Sequence, residues 1–240
     1  MVSTLDGNII LDAGEGTLGQ LYRQVGHKRW KTNDSTNLAD MDTFLKRISL
    51  IFLSHLHADH HLGIIRLLKE RYQLMINTNH STKPKPIYII APHQFLIWLE
   101  EYSDIEDIGL KHMEFISAHD LLRNRNNANA PHRKKFNSIF LSISYSKFRL
   151  QRLLDDLNLT KIETTEAIHC IWSYSVGLEH KAGWKLVYSG DTRPCHRMLK
   201  LCDGSPDLLI HEATFEDDKF DEAIAKKHTT MSEAIDVGNK

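Results

Sequence analysis

The segment Ser54-His55-Leu56-His57-Ala58-Asp59-His60-His61 constrains this chain more than any other. It follows the apolar run Ile48 to Leu53 and precedes an amphipathic pattern from Leu62 to Gln73, so it reads as the link between a buried strand and a helix. In extended chain His55 and His57 stand two apart, and their rings point to the same side. Asp59 and His60 follow where the chain turns into the helix. His55, His57, His60 and Asp59 suit zinc, and together they exceed what one catalytic zinc takes from a short loop. A two-metal centre is the natural reading. A solvated histidine-rich surface loop is the bland alternative, and the position at a strand end argues against it.

Other donors recur at the ends of short apolar runs. His169 follows the β-favourable run Thr164 to Ile168. Asp191 stands in Tyr188-Ser189-Gly190-Asp191-Thr192, where the glycine allows a sharp turn and a carboxylate could bridge two metals. His211 and Glu212 end the run Leu208 to Ile210, and His228 precedes a helix expected to be capped by Ser232. Taken singly, each is an ordinary core or surface residue. As a set they complete the ligand count that the first cluster leaves open.

The same organisation runs through the chain. Strands are expected at Asn8–Leu11, Ile48–Leu53, Ile87–Ala91, Ile139–Ile143, Leu186–Tyr188 and Leu208–Ile210. Helices are expected at Leu62–Gln73, His93–Tyr102, Phe148–Leu157, Cys195–Cys202, Asp217–Lys227 and Ser232–Val237. Alternation of this kind points to the α/β class. Asn77–Pro86 and Leu121–Arg133 read as loops, not as linkers, so one domain is expected over residues 1–240. The 240 residues carry a net charge of -1, which excludes a polycation and leaves nucleic-acid binding to a local patch. One such patch lies between Leu121 and Arg152, where Arg123, Arg125, Arg133, Lys134, Lys135, Lys147, Arg149 and Arg152 occur with no acidic residue. A solvated loop and helix face is the equal alternative. Cys170, Cys195 and Cys202 are too few and irregular for a disulfide framework, which points to a reducing compartment. No membrane span and no targeting signal are visible, so a soluble, intracellular protein is expected.

At this point a family resemblance emerges. His55-Leu56-His57-Ala58-Asp59-His60-His61 resembles the signature of the metallo-β-lactamase superfamily. Gly14-Glu15-Gly16-Thr17-Leu18-Gly19-Gln20-Leu21, Ser189-Gly190-Asp191-Thr192, His211-Glu212-Ala213-Thr214 and His228-Thr229-Thr230-Met231-Ser232-Glu233-Ala234 together resemble the tRNase Z family. The similarity is to the C-terminal catalytic half of its long eukaryotic form, with a fungal source as one expectation. The resemblance implies an αβ/βα sandwich of two mixed sheets flanked by helices. It implies two zinc ions, one held by His55, His57 and His169, the other by Asp59, His60 and His228, with Asp191 bridging. Asp59 would also accept a proton, and His211 with Glu212 would serve proton transfer. The implied reaction is endonucleolytic removal of the 3′ trailer from precursor tRNA, by attack of a metal-bound hydroxide on the phosphodiester. Precursor tRNA is then the expected partner, with Arg123, Arg125, Arg133, Lys134 and Lys135 as candidate RNA contacts. Nucleus or mitochondrion is the implied compartment.

The chain also departs from that pattern. The family's Pro-Lys-x-Arg-Asn segment is missing, and Lys240 falls within the last helix. A fragment that works with a family-like N-terminal half or a dimer partner is therefore expected. Another hydrolase of the same superfamily and an inactive metal-binding module stand as competing readings.

Overall fold

Apolar runs of the N-terminal half form a five-stranded mixed sheet. Its strands are β1 (Val2–Ser3), β2 (Asn8–Leu11), β3 (Ile48–Phe52), β4 (Ile87–Ala91) and β5 (Met113–Ser117), in that spatial order. β1 runs antiparallel to β2, whereas β2, β3 and β4 are mutually parallel. Parallel strands covered on both faces lose the apolar-polar alternation of a half-buried strand. That is why Ile48-Ser49-Leu50-Ile51-Phe52 and Ile87-Tyr88-Ile89-Ile90-Ala91 are legible as continuous runs, and all but Ser49 are buried.

This computed structural model describes residues 1–31, 41–77, 86–123 and 147–240. The chain divides into two compact units. The first comprises Met1–Leu53, His57–Ile90 and Leu96–Phe115. It carries the five-stranded sheet and the helices α1 (Thr17–Lys31), α2 (Met41–Lys46), α3 (Ala58–Ile76) and most of α4 (His93–Ser103). α3 packs on α1 and α2 and buries Ile64, Leu67, Leu68 and Tyr72, a helical i, i+3, i+4, i+8 pattern on one face.

The second unit comprises Ser54–Leu56, Ala91–Phe95 and Ile116–Lys240. Its four-stranded mixed sheet has the order β6 (Leu159–Glu166), β7 (Tyr174–His180), β8 (Lys185–Tyr188) and β9 (Leu208–Ile210). β6–β7 and β7–β8 are antiparallel, and β8–β9 is parallel. The helices α5 (Lys147–Asp156), α6 (His196–Leu201), α7 (Phe220–Lys226) and α8 (Met231–Gly238) accompany it. Val187, Met198, Leu201 and Val237 pack together in its core.

Two mixed sheets with flanking helices agree with the expected α/β class. Several elements are found that the sequence reading does not contain. α1 has Gly19 in its first turn, α2 is only six residues long, and β7 is interrupted by Gly177 and ends in Glu179-His180. Each weakens the periodic signal. Ser232 does not cap α8. Thr230 does, accepting from the Glu233 amide while the Glu233 carboxylate accepts from the Thr230 amide. Ser232 instead donates to Asp217. The strand expected at Ile139–Ile143 and most of both expected loops lie outside the described residues.

Candidate metal centre

The second unit gathers histidines around one carboxylate oxygen. Asp191 Oδ2 stands 3.6 Å from His55 Nε2, 3.7 Å from His169 Nε2 and 3.8 Å from His228 Nδ1. His55 is fully buried, and the Asp191 side chain is 14% exposed. These gaps are too long for hydrogen bonds. They are near the separation of donors that share a cation, because two ligands on a tetrahedral zinc at 2.0–2.1 Å stand about 3.3–3.4 Å apart. Donor atoms of His169, Asp191 and His228 all lie within 4.8 Å of one another. Nitrogen and carboxylate donors of this kind fit zinc.

The rings of His55 and His169 are each aimed by a bond on the nitrogen that faces away from Asp191. His55 Nδ1 bonds Ser54 Oγ at 2.9 Å, and His169 Nδ1 donates to the Lys227 carbonyl at 3.0 Å. Lys227 offers that carbonyl from a left-handed conformation, φ 60°, that ends α7. Such bonds on the far nitrogen fix the tautomer and turn Nε2 toward Asp191. His228 differs, because the Nδ1 that faces Asp191 is also the nitrogen that bonds Glu212. The Glu212 carboxylate accepts from His228 Nδ1 at 3.1 Å, from the Thr229 amide at 3.0 Å and from Thr214 Oγ1 at 2.6 Å. It also accepts from the Thr192 amide, next to Asp191. Arg193 adds a further tie, donating to the His228 carbonyl at 2.7 Å and forking onto Glu233. Burial pushes the Glu233 carboxyl up, but bonds from Arg193 and Thr230 outweigh this and hold it below the usual range.

Beneath these ligands lies a set of buried hydroxyls. Ser175 Oγ donates to the Ser189 carbonyl, Ser189 Oγ accepts from the Glu212 amide, and Thr229 Oγ1 donates to the Thr192 carbonyl. They satisfy the backbone groups that strand ends leave unpaired. Gly190 is left-handed at φ 57°, and a Cβ there would stand 2.6 Å from Ser54 Cβ. Only glycine permits the turn that carries Asp191 past the His55 segment.

The first unit holds the remaining candidates. Asp59 and His60 occupy the first turn of α3, with His60 Nε2 3.7 Å from Asp59 Oδ2. His60 Nδ1 donates to Asp12 at 2.7 Å, so Asp12 orients this ring as Ser54 orients His55. His57 is exposed just before α3, and its carbonyl takes bonds from the His60 amide and from His61 Nδ1. The Gly14-Glu15-Gly16-Thr17 turn sits directly on this helix start. The Ala13 amide donates to the His60 carbonyl, and the Gly63 amide donates to the Ala13 carbonyl. A Cβ on Gly14 would stand 2.2 Å from the Asp59 carbonyl oxygen, and one on Gly63 would stand 2.0 Å from that of Gly14.

The expected ligands thus fall into two groups: His57, Asp59 and His60 in the first unit; His55, His169, Asp191 and His228 in the second. Sequence reasoning does not single out Asp12, Ser54, Arg193 or Cys170. The Cys170 sulfur lies within 4.8 Å of the His55 and His169 donor atoms. Asp12 and Arg193 meet their partners only through contacts between distant segments, whereas Ser54 and Cys170 adjoin ligands in the chain but belong to no recognisable spacing. His211 bonds the Glu212 carbonyl through Nδ1 at 2.7 Å, and its buried Nε2 has no partner among the described residues. Arg123 is engaged by Asp203 at 2.9 Å and Glu163 at 3.7 Å, so a phosphate there would compete with two carboxylates. Arg125, Arg133, Lys134 and Lys135 lie outside the described residues. Among the described residues, no helix is long and apolar enough to cross a membrane.

Comparison with known proteins finds relatives over nearly the whole chain. Ribonuclease Z 1 of Schizosaccharomyces pombe is 37% identical over 233 residues, covering 97% of this chain and 25% of its own length. Zinc phosphodiesterase ELAC protein 2 of Macaca fascicularis is 34% identical over 236 residues, with the same two shares. The chain therefore spans about a quarter of the length of these curated relatives. The crystal structure of a long-form RNase Z from yeast superposes with a TM-score of 0.75 at 32% identity, over 97% of this chain and 31% of that one. The model of the beta-lactamase superfamily domain matches residues 7–240, from just before β2 to the final residue, and with it the chain belongs to that superfamily.

Proposed function

We propose that this chain is the catalytic part of a zinc-dependent endoribonuclease that removes the 3′ trailer from precursor tRNA. The observation that carries the reading is the convergence of His55 Nε2 and His169 Nε2 on Asp191 Oδ2 at 3.6–3.7 Å, with a donor atom of His228 within 4.8 Å of those of His169 and Asp191. It is supported by similarity to proteins named ribonuclease Z and zinc phosphodiesterase. One superfamily match over 7–240 also favours residues 1–240 acting as one catalytic domain. The proposed complement is two zinc ions: His55, His57 and His169 for one, Asp59, His60 and His228 for the other, and Asp191 for both. Bound zinc would supply Lewis acidity, lowering the pKa of water toward 7 and offsetting phosphate charge.

The chain's own groups do the rest. Ser54, Asp12, Glu212 and the Lys227 carbonyl hold the imidazoles in place. Asp59, on an exposed helix start, is the proposed proton acceptor. His211 Nδ1 donates to a carbonyl, so a proton gained at Nε2 is the one it can pass to the departing ribose 3′-oxygen. Glu212 is committed to His228 and two amides, so its proposed role is positioning. The products would be tRNA with a 3′-hydroxyl and a trailer with a 5′-phosphate. A family-like N-terminal half or a dimer partner, and a nuclear or mitochondrial site of action, belong to the same proposal; one relative carries "mitochondrial" in its name.

The test is incubation of the zinc-loaded chain with trailer-bearing precursor tRNA, beside thioester and lactam substrates. Cleavage after the discriminator nucleotide is expected, weak at most from the chain alone and strong once a family-like N-terminal half is added. Turnover of the small substrates with intact RNA would overturn the proposal in favour of another superfamily hydrolase, and bound zinc with no turnover of any substrate would favour an inactive metal-binding module.

A further inference from the structure

Phe215 follows the His211–Thr214 motif, and its backbone is strapped to the segment after His228. Its amide donates to the Thr229 carbonyl at 3.2 Å, and its carbonyl accepts from the Met231 amide at 3.1 Å. The half-buried ring sits with its centroid 5.9 Å from that of His228. Lys226 Nζ lies 5.8 Å from the same ring centroid, within cation–π range. Lys226 and Lys227 are both exposed at the end of α7. Among the described residues neither has a carboxylate within 4.0 Å, because nearby acids are engaged elsewhere. Asp217 accepts from Ser232, and Glu222 pairs with Lys219. A ring whose only task is to buttress His228 needs no unpaired cations at its side.

An aromatic ring with one ammonium over it, a second exposed lysine next along the chain and a candidate metal ligand at its side has the composition of a single-stranded nucleic-acid seat. Bases stack on aromatic rings whatever their identity, and lysines track the backbone. On the reading that this centre cuts RNA, we propose that Phe215, Lys226 and Lys227 seat the nucleotide adjacent to the scissile phosphate. The base lies on the Phe215 ring, and its flanking phosphate meets the two ammonium groups. This positions the strand without reading its sequence, as a nuclease that meets varied trailers requires.

The test measures binding of fluorescently labelled precursor tRNA to the zinc-loaded chain, with zinc content determined for each variant. Phe215→Leu keeps apolar volume but removes the flat face, and should weaken binding about 5- to 160-fold. Phe215→Tyr should stay near wild type. The double variant Lys226→Ala/Lys227→Ala should flatten the slope of log affinity against log salt by about 0.7–1.4. Zinc content should be unchanged throughout. Wild-type affinity in Phe215→Leu, or zinc loss in step with lost affinity, would overturn the proposal. Failure of the wild-type chain itself to bind or cut precursor tRNA would instead remove the functional reading on which this one rests.

Discussion

At the scale of single residues, the side chains of the candidate centre divide into those that would touch metal and those that aim them. Asp191 belongs to the first kind and faces three histidines at once. His211 faces none of them by any recorded bond, and its ring is held through the Glu212 carbonyl. Asp191→Ala is therefore expected to lower bound zinc and abolish activity. His211→Ala should retain zinc and lose about 10²–10⁴-fold in rate, the usual worth of a proton donor. Zinc analysis and rate measurements on the two variants, run in parallel, check this. Normal zinc with higher residual activity in the Asp191 variant would reverse the roles. The ligand types are legible from HxHxDH and from donors at strand ends. The aiming residues are not, because nothing in the spacing of Asp12 or Ser54 distinguishes them from any polar residue beside a strand.

At the scale of elements, two contacts deserve a test because each ties a helix terminus to ligands. Gly63 in α3 lies against the Gly14 carbonyl, where an added Cβ would be 2.0 Å from oxygen. Backbone on backbone cannot yield as a flexible side chain would. Gly63→Ala should destabilise by about 1–3 kcal/mol, the typical cost of overpacking, and weaken zinc binding by displacing His60. Urea midpoints and a zinc titration measure both effects, and an unaltered pair would show that the turn is free to shift. The second contact is Arg193–Glu233, which anchors the His228 carbonyl to the start of α8. The Glu233 carboxyl is held below its ordinary value. Its contribution is therefore present above the unfolded carboxylate value of about 4.3 and is lost as pH falls through the lower folded value. Compared with Glu233→Gln, the wild type should be more stable at neutral pH by about 1.5–3 kcal/mol. That advantage should shrink on acidification below about pH 4. A gap independent of pH would mean that the pair contributes nothing through charge.

At the scale of the whole molecule, each unit carries its own sheet and buried apolar residues, so folding does not depend on a cation. Zinc should raise the unfolding temperature in a concentration-dependent way, worth about 2.7 kcal/mol at a free concentration of 100 Kd. Chelation should leave far-ultraviolet dichroism largely unchanged. Loss of secondary structure on chelation would show instead that the metal organises the fold. The sequence by itself determined the α/β class, the buried strands Asn8–Leu11 and Ile87–Ala91, the place of the strand Leu208–Ile210 though not its partial exposure, and the reactive residues at their ends. These are local properties, set by runs of four or five apolar residues and by donors a few positions apart. Tertiary structure alone decided that Asp12 would hold His60, that Glu212 would serve His228, and that Thr230 rather than Ser232 would cap α8. Those partnerships join segments up to 48 positions apart or turn on a single residue of helix phase. Hydrogen bonds of that kind depend on where folded backbones meet, and one-dimensional spacing carries no trace of them.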